Sequence, residues 1–352
     1  MIPISVCIIA KNEGSKIERC LHSLMPYEFE VIVVDTGSTD HTKEIALKYT
    51  DKVFDFTWID DFSAARNYSL QQASNDWIFM LDCDETIISI DLEELDYFMK
   101  HLSHAVGSVN RENLTGSPEC PVKTLDRTER FFSKKNFHYT GRIHEQLTPK
   151  YGKNMDNFLL NATIFHDGYL MTEEERQTKA KRNLDLLYKQ LNEEPSNPYL
   201  FYQLGKGYEM INDEQNACIW YQKGLSFDLD PELAYVQAMV IAYGNTLLQT
   251  GQKELALQFI NIYDNFSSNA DFVYLMGLIY KENNYFKQAI REFKKALDFE
   301  FCNQIGVNSY LSYYQLALIS LSINEIPSAI KCLQMCGDYA PALELINELS
   351  SR

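Results

Sequence analysis

Trp77-Ile78-Phe79-Met80-Leu81-Asp82-Cys83-Asp84-Glu85 decides the fold: a short run, apolar at every position, stops abruptly on a group of acidic residues. A continuous apolar run of this length reads as a strand buried on both faces, as in a parallel sheet. Two more runs of the same kind lie upstream, Ile4-Ser5-Val6-Cys7-Ile8-Ile9-Ala10 and Glu30-Val31-Ile32-Val33-Val34. Amphipathic segments of helical length surround them, at roughly 15–25, 41–50 and 63–74. Strand, helix, strand means βαβ units, hence an open parallel α/β sheet whose ligands sit at the carboxyl ends of its strands. Those ends carry Lys11-Asn12-Glu13, then Asp35-Thr36-Gly37-Ser38-Thr39-Asp40, then Asp82-Cys83-Asp84-Glu85.

Asp82 and Asp84, separated by one residue, repel each other unless a cation lies beside them. A hard divalent ion is the economical solution, since Mg²⁺ or Mn²⁺ is commonly held by one or two carboxylates with water and phosphate filling the other positions. An Asp-x-Asp triplet alone is usually a solvated turn; its place at a strand end gives it weight.

From about 105 to 170 the pattern loosens, with Gly116, Pro118, Pro121 and Gly141 as punctuation, and short strands and loops are expected there. A charged helical stretch from Thr172 to about Asn192 leads to the turn Pro195-Ser196-Asn197-Pro198. Beyond it the chain is helical and repeats at a period of about 34 residues. Leu204-Gly205, Tyr208, Ala217, Tyr221 and Met276-Gly277, Tyr280, Ala289, Phe293, Ala296 are the clear copies. Tyr243-Gly244, Leu247, Ala256, Ile260 and Leu316-Ala317, Ser320, Ala329, Leu333 are degraded ones. Small residues let two antiparallel helices approach while large ones fill the seam, so each copy is a helical hairpin that needs neighbours. Of the 22 Tyr and 20 Phe, most in the repeats are seam; which of them line a binding face is not fixed by sequence.

Lys plus Arg total 32 against 49 Asp plus Glu, for a net charge of −17, and the deficit is spread over both halves. That balance argues against nucleic acid as the main partner. No apolar run is long enough to span a bilayer as a transmembrane segment, and Met1-Ile2-Pro3 leads into a strand without a basic n-region. The eight cysteines are scattered without C-x-x-C spacing, so reduced thiols in a cytoplasmic protein are expected.

Four blocks now carry a resemblance: Ile4 to Glu13, Val33 to Asp40, Asp61-Phe62-Ser63-Ala64-Ala65-Arg66-Asn67, and Trp77 to Glu85. In this order they resemble a family 2 glycosyltransferase of the GT-A fold over roughly residues 1–170. Joined to tetratricopeptide repeats, the chain is similar to bacterial peptide and protein glycosyltransferases of the sublancin S-glycosyltransferase type. The resemblance implies a Rossmann-like open-sheet GT-A domain over 1–170, a linking helix over 171–194, and an all-α tetratricopeptide solenoid of about four hairpins over 195–352.

It also implies roles. Asp35, with Ala10, Asn12 and Glu13, would line the uracil and ribose site; Thr36 stands where many relatives have a second acidic residue. Arg66 would reach the nucleotide, the alternative being a helix arginine paired with Asp60 or Asp61. Asp82 and Cys83 would lie along the ribose, with Asp84 the direct metal ligand and Asp82 beside the metal-bound water. A histidine late in the domain would complete the metal sphere, His166 ahead of His144. Arg142 would hold the diphosphate. The base comes from Gly141-Arg142-Ile143-His144-Glu145, as Glu145, with Asp167 the runner-up; the bland alternative for Glu145 is an ion pair with Arg142.

The expected activity is inverting transfer of a hexose or N-acetylhexosamine from a UDP-sugar, with Mn²⁺ or Mg²⁺, to a Ser, Thr or Cys side chain of a peptide or protein. The repeats would bind that acceptor or form a homodimer. The alternatives are a transferase acting on a glycan or lipid-linked saccharide in cell-surface polysaccharide synthesis, and a scaffold with a decayed catalytic domain.

Overall fold

The computed structural model describes residues 3–117, 120–152, 155–170 and 172–350. They fall into two compact units, Met1–Glu194 and Pro195–Arg352.

The first unit begins with β1 (Ile4–Ala10), α1 (Gly14–Leu24), β2 (Glu30–Asp35), α2 (Thr42–Ala46), β3 (Val53–Asp55), α3 (Phe62–Gln72) and β4 (Trp77–Met80). It continues with β5 (Glu85–Ile90), α4 (Leu92–His101), β6 (Ala105–Ser117), β7 (Cys120–Ser133), β8 (Phe137–Thr140), β9 (Gln146–Pro149), β10 (Asp156–Leu170) and α5 (Glu173–Glu193). Eight strands form one sheet in the order β3-β2-β1-β4-β7-β6-β10-β5, and β8 and β9 pair as a separate hairpin. The apolar runs are continuous because alternate residues feed two cores. Val6, Ile8 and Phe79 enter the cluster under α1 and α4, while Cys7, Ile32, Ile78 and Met80 enter the one that holds Leu70 of α3.

Two expectations need correcting. The sheet is mixed: β3, β2, β1 and β4 run parallel, as do β6 and β10, whereas β7 runs antiparallel to β4 and β6, and β5 antiparallel to β10. The loosely patterned stretch contains the longest strands of the unit, with 13, 14 and 15 residues in β6, β7 and β10. Their periodicity is weak because only part of each strand meets the core: in β7, Arg130 to Ser133 are buried, whereas Leu125, Asp126 and Arg127 are exposed. The projecting hairpin is held by ladder bonds and by a two-pronged pair between Arg111 and Asp126 at 2.8 and 2.9 Å.

Glu30 at the start of β2 fastens three segments: its carboxylate accepts from Ser5 Oγ, Lys52 Nζ and the Ser74 N–H. Burial works against its charge, but the hydrogen bonds outweigh burial and hold the carboxyl at about 2. A depressed carboxyl contributes stability that is complete above its ordinary value of 4.5 and is lost as pH falls toward 2. Glu30→Gln is therefore expected to flatten the acid limb of stability between about pH 5 and 2. Urea unfolding across that range measures it, and an unchanged limb would count against the account.

The second unit is helical: α6 (Pro198–Glu209), α7 (Glu214–Gly224), α8 (Ala234–Gln249), α9 (Lys253–Ala256), a 3₁₀ stretch (Leu257–Ile262) and α10 (Tyr263–Phe266). Then come α11 (Ala270–Glu282), α12 (Phe286–Leu297), α13 (Tyr310–Ser322), α14 (Ile326–Gln334) and α15 (Ala340–Ser350). The repeat glycines stand where helices touch. A Cβ on Gly205 would come within 2.2 Å of the Tyr221 ring, and one on Gly277 within 2.6 Å of Phe293. Each of four hairpins turns on a left-handed residue: Asn212, Gly251, Asn284 and Asn324, with φ between 58° and 76°. The next residue's N–H then bonds a carbonyl five positions back, Asp213 to Tyr208, Gln252 to Leu247, Tyr285 to Tyr280 and Glu325 to Ser320. This is the Schellman closure, built four times from degraded and clear copies alike.

Candidate active site

The carboxyl ends of β1, β2 and β4 converge, as a parallel arrangement dictates. The two loops after β1 and β2 are laced together: the Asn12 N–H donates to Ser38 Oγ, Asn12 Oδ1 accepts from the Thr39 N–H, and the Glu13 N–H donates to Thr42 Oγ1. The Thr36 N–H and Oγ1 both donate to the Ala10 carbonyl at 2.9 and 3.1 Å. Asp35 Oδ2 accepts from the N–H groups of Gly37 and Ser38, and its buried Oδ1 has no partner among the described residues.

Asp82 lies between two guanidinium groups, with Oδ1 2.8 Å from Arg66 Nη2 and Oδ2 2.9 Å from Arg130 Nη2. Burial opposes its charge, but the two arginines prevail and hold the carboxyl well below its usual range. Arg130 Nη2 also donates to Glu85, a carboxylate with no exposed surface that burial pushes up. Arg66 Nε donates to Glu145 Oε1 at 2.5 Å, and the guanidinium lies over the Tyr139 ring. Arg66 is thus buried and shared between Asp82 and Glu145, not paired with Asp60 or Asp61, and Glu145 pairs with Arg66 and not Arg142. Arg66 Nη1 and Arg130 Nε are likewise buried without a partner among the described residues.

Asp84 stands apart from this network. Its Oδ2 is 3.5 Å from His166 Nε2, and His166 Nδ1 meets Asn113 Oδ1 at 2.9 Å, its register neighbour in β6. The amide oxygen accepts the Nδ1 proton, so in the neutral ring the Nε2 lone pair is turned toward Asp84, and in the charged ring Nε2 donates to it. Two acceptors facing each other at that distance, as in the neutral form, suit a shared cation. Gly168 completes the cradle: a Cβ there would fall 1.9 Å from Asp84 Oδ2 and 2.6 Å from His166 Nε2. Among the described residues no group of three or more His, Cys, Asp or Glu side chains is arranged to hold a metal ion; the Asp84 and His166 pair is the arrangement that could contribute an oxygen and a nitrogen to one. Asp82, with both oxygens on arginines, is placed for charge balance next to it.

The other expected residues take separate positions. Asp167 closes a two-pronged pair with Arg19 of α1 at 2.8 and 2.9 Å. The Cys83 thiol turns inward to the Ile9 carbonyl at 3.1 Å, and burial pushes it up, so it is packing at the base of the site. The Arg142 guanidinium goes to Glu193 of α5 at 2.6 Å. His144 is exposed on the Glu145 turn, at φ 51°. A cavity of about 820 Å³ is lined by Arg66, Arg130, Tyr139, Glu145, Leu147 and Leu159 among others.

Arg130, Glu85, Asn113, Gly168 and Tyr139 were not found by sequence reasoning. Glu85 follows the Asp-x-Asp triplet directly, and Gly168 follows the His166-Asp167 pair, so adjacency was the one available signal.

Residues 5–167 match the profile described as Glycosyl transferase family 2, and residues 270–301 match that described as Tetratricopeptide repeat. The chain is a glycosyltransferase, with a family 2 domain followed by tetratricopeptide structure. It is similar to the SPbeta prophage-derived glycosyltransferase SunS of Bacillus subtilis, 25% identical over 333 residues that span 91% of this chain and 77% of that protein. A TPR repeat-containing protein of Synechococcus elongatus is 31% identical over 232 residues, 64% of this chain and 57% of that one. Among solved structures, the crystal structure of MamA covers 52% of this chain and 99% of its own, at 19% identity and a TM-score of 0.39. No described helix is long and apolar enough to cross a membrane.

Proposed function

We propose that the chain transfers a hexose or N-acetylhexosamine from a UDP-sugar, with inversion, to a Ser, Thr or Cys side chain of a peptide or protein. The observation that carries this reading is Asp35 Oδ1, a buried acceptor left open at the end of β2. Buried polar atoms are nearly always satisfied, and the N–H of a uracil ring is the donor that fits a carboxylate there. Ala10, Asn12, Glu13 and Thr36 line the nucleoside, and Asp82 stays ionised beside it. Asp84 and His166 would hold Mn²⁺ or Mg²⁺, which when bound neutralises charge building on the departing diphosphate.

Glu145 takes the proton from the acceptor hydroxyl or thiol. The freed oxygen or sulfur bonds to the anomeric carbon from the face opposite UDP, and the sugar–phosphate bond breaks with its electron pair leaving on UDP. Asp167, closed against Arg19, is the weaker candidate. The large cavity beside Glu145 is the acceptor's approach. We assign the catalytic domain to residues 1–170, a linking helix to 171–194 and about four repeat hairpins to 195–352, with the repeats docking the acceptor or a second copy, in the cytoplasm.

Purified protein with Mn²⁺ and a panel of UDP-glucose, UDP-galactose and UDP-N-acetylglucosamine is expected to release UDP from one of them, and EDTA to stop it. Release from none would overturn the donor class. Gly168→Ala is expected to push Asp84 and His166 apart and reduce metal-dependent release at least as far as Asp84→Ala does, with thermal unfolding of the metal-free protein nearly unchanged. Wild-type release in either variant would sink the metal assignment.

A further inference from the structure

The turn that carries Glu145 is left-handed at both Gly141, with φ 96°, and His144, with φ 51°. Gly141 adopts this conformation freely, whereas His144 does so at a local cost that bonds from outside the turn must offset. They converge on Arg142. Its carbonyl accepts from the Phe62 N–H at 2.8 Å, fixing it to the first turn of α3, one turn before Arg66. Its N–H donates to Gln190 Oε1 at 3.0 Å, and its side chain forks onto Glu193 with contacts of 3.0 and 2.6 Å. Gln190 is only 5% exposed, and its amide nitrogen is spent on Glu194, so its orientation is set. Nearby, Lys189 Nζ reaches Asp60, whose carbonyl also takes Arg142 Nη1.

From this geometry we propose that the last turns of α5 are part of the catalytic apparatus: Gln190, with Glu193, is a positioning residue that sets Glu145 against Arg66 through Arg142. The proposal rests on the reading of Glu145 as the base. A helix between a catalytic domain and a repeat array needs no buried amide aimed at the backbone of one loop residue, and this one has it. The effect is on orientation of the proton acceptor more than on donor affinity, because the bonds of Gln190 and Arg142 go to each other and to Phe62, Asp60, Glu193 and Glu194, away from Asp35 and Asp84.

The test uses the full chain and UDP release from the UDP-hexose that the panel identifies, with water as the acceptor. Gln190→Met keeps the volume and removes the acceptor; Gln190→Glu keeps an acceptor oxygen. Small displacement of a catalytic group costs up to about a hundredfold in rate, so Gln190→Met is expected to lower kcat about tenfold or more with KM for the donor unchanged. Gln190→Glu alone sets a second carboxylate against Glu194, so rescue is read in Gln190→Glu combined with Glu194→Gln, which restores donor and acceptor in exchanged positions and is expected to recover most of the loss. Combined with Glu145→Gln, Gln190→Met is expected to add no further loss, since both act through one proton transfer. An unchanged kcat in Gln190→Met beside a crippled Glu145→Gln, or losses that multiply in the double variant, would overturn the positioning role and leave the base reading intact. Full activity in Glu145→Gln would remove the base reading and this proposal with it. If Gln190→Met does not fold, Glu193→Gln, at a half-exposed site, carries the same test with a smaller expected loss.

Discussion

Glu145→Gln keeps the donor bound and loses transfer, by about 10²–10⁴-fold, the range that a positioned general base supplies. The substitution preserves the shape of the side chain and its acceptor oxygen toward Arg66 Nε, so the turn stays in place. What disappears is the negative charge that takes the proton. Donor affinity, read by UDP binding with Mn²⁺, is expected to stay near wild type because Asp35 and Asp84 are untouched. A cysteine acceptor, already part thiolate at neutral pH, is expected to show the small end of the loss and a serine the large end. Near-normal transfer to a hydroxyl would move the base to Asp167, which must then release Arg19.

The second large effect is on stability. Arg130→Met is expected to destabilise the first unit by about 3–5 kcal/mol, the usual result of leaving a buried charge without its partner. Arg130 Nη2 serves both Asp82 and the fully buried Glu85; without it Asp82 keeps Arg66, while Glu85 is left with the longer approach of Arg111 Nη1 at 3.7 Å. Burial already pushes the Glu85 carboxyl up, and without Arg130 it favours the protonated form more strongly. A group raised in the folded state destabilises most at high pH, so the deficit should shrink as pH falls. Urea unfolding of Arg130→Met at two pH values measures both. A loss under about 1 kcal/mol, the surface-pair range, would mean that the pair is wetter than its burial implies.

The strands that frame the site were legible because β1, β2 and β4 are buried on both faces and so are nearly continuous apolar runs. Their carboxyl ends named Asp35, Asp82 and Asp84 by position alone. The long hairpin was not legible, since Leu125, Asp126 and Arg127 are exposed in succession and nothing forces alternation on them. With it went Arg130 and Asn113. Arg130 meets Asp82 from 48 residues away, and Asn113 meets His166 only through the register of β6 and β10. Arg66 shows the same limit. Its nearest acidic neighbours in sequence, Asp60 and Asp61, lie outside its reach in the fold, because Asp61 caps α3 by accepting from the Ala64 N–H. Asp60 is instead taken up by Trp58 and Lys189.

The four left-handed turns of the helical unit have a bearing on how this protein can change over evolutionary time. Each hairpin closes with its own Asn or Gly and its own backbone bond five residues back, and side chains beside the turns, such as Asn283 to the Lys253 carbonyl, tie it to the preceding copy. In an array where every hairpin is held by its neighbours alone, the number of copies is a free variable. Duplication of one hairpin lengthens the surface offered to a partner without altering a residue around Asp35, Asp84 or Glu145. Repeat number and site chemistry are thereby placed on separate stretches of the gene, and selection can lengthen, shorten or diverge the one while the other stands still.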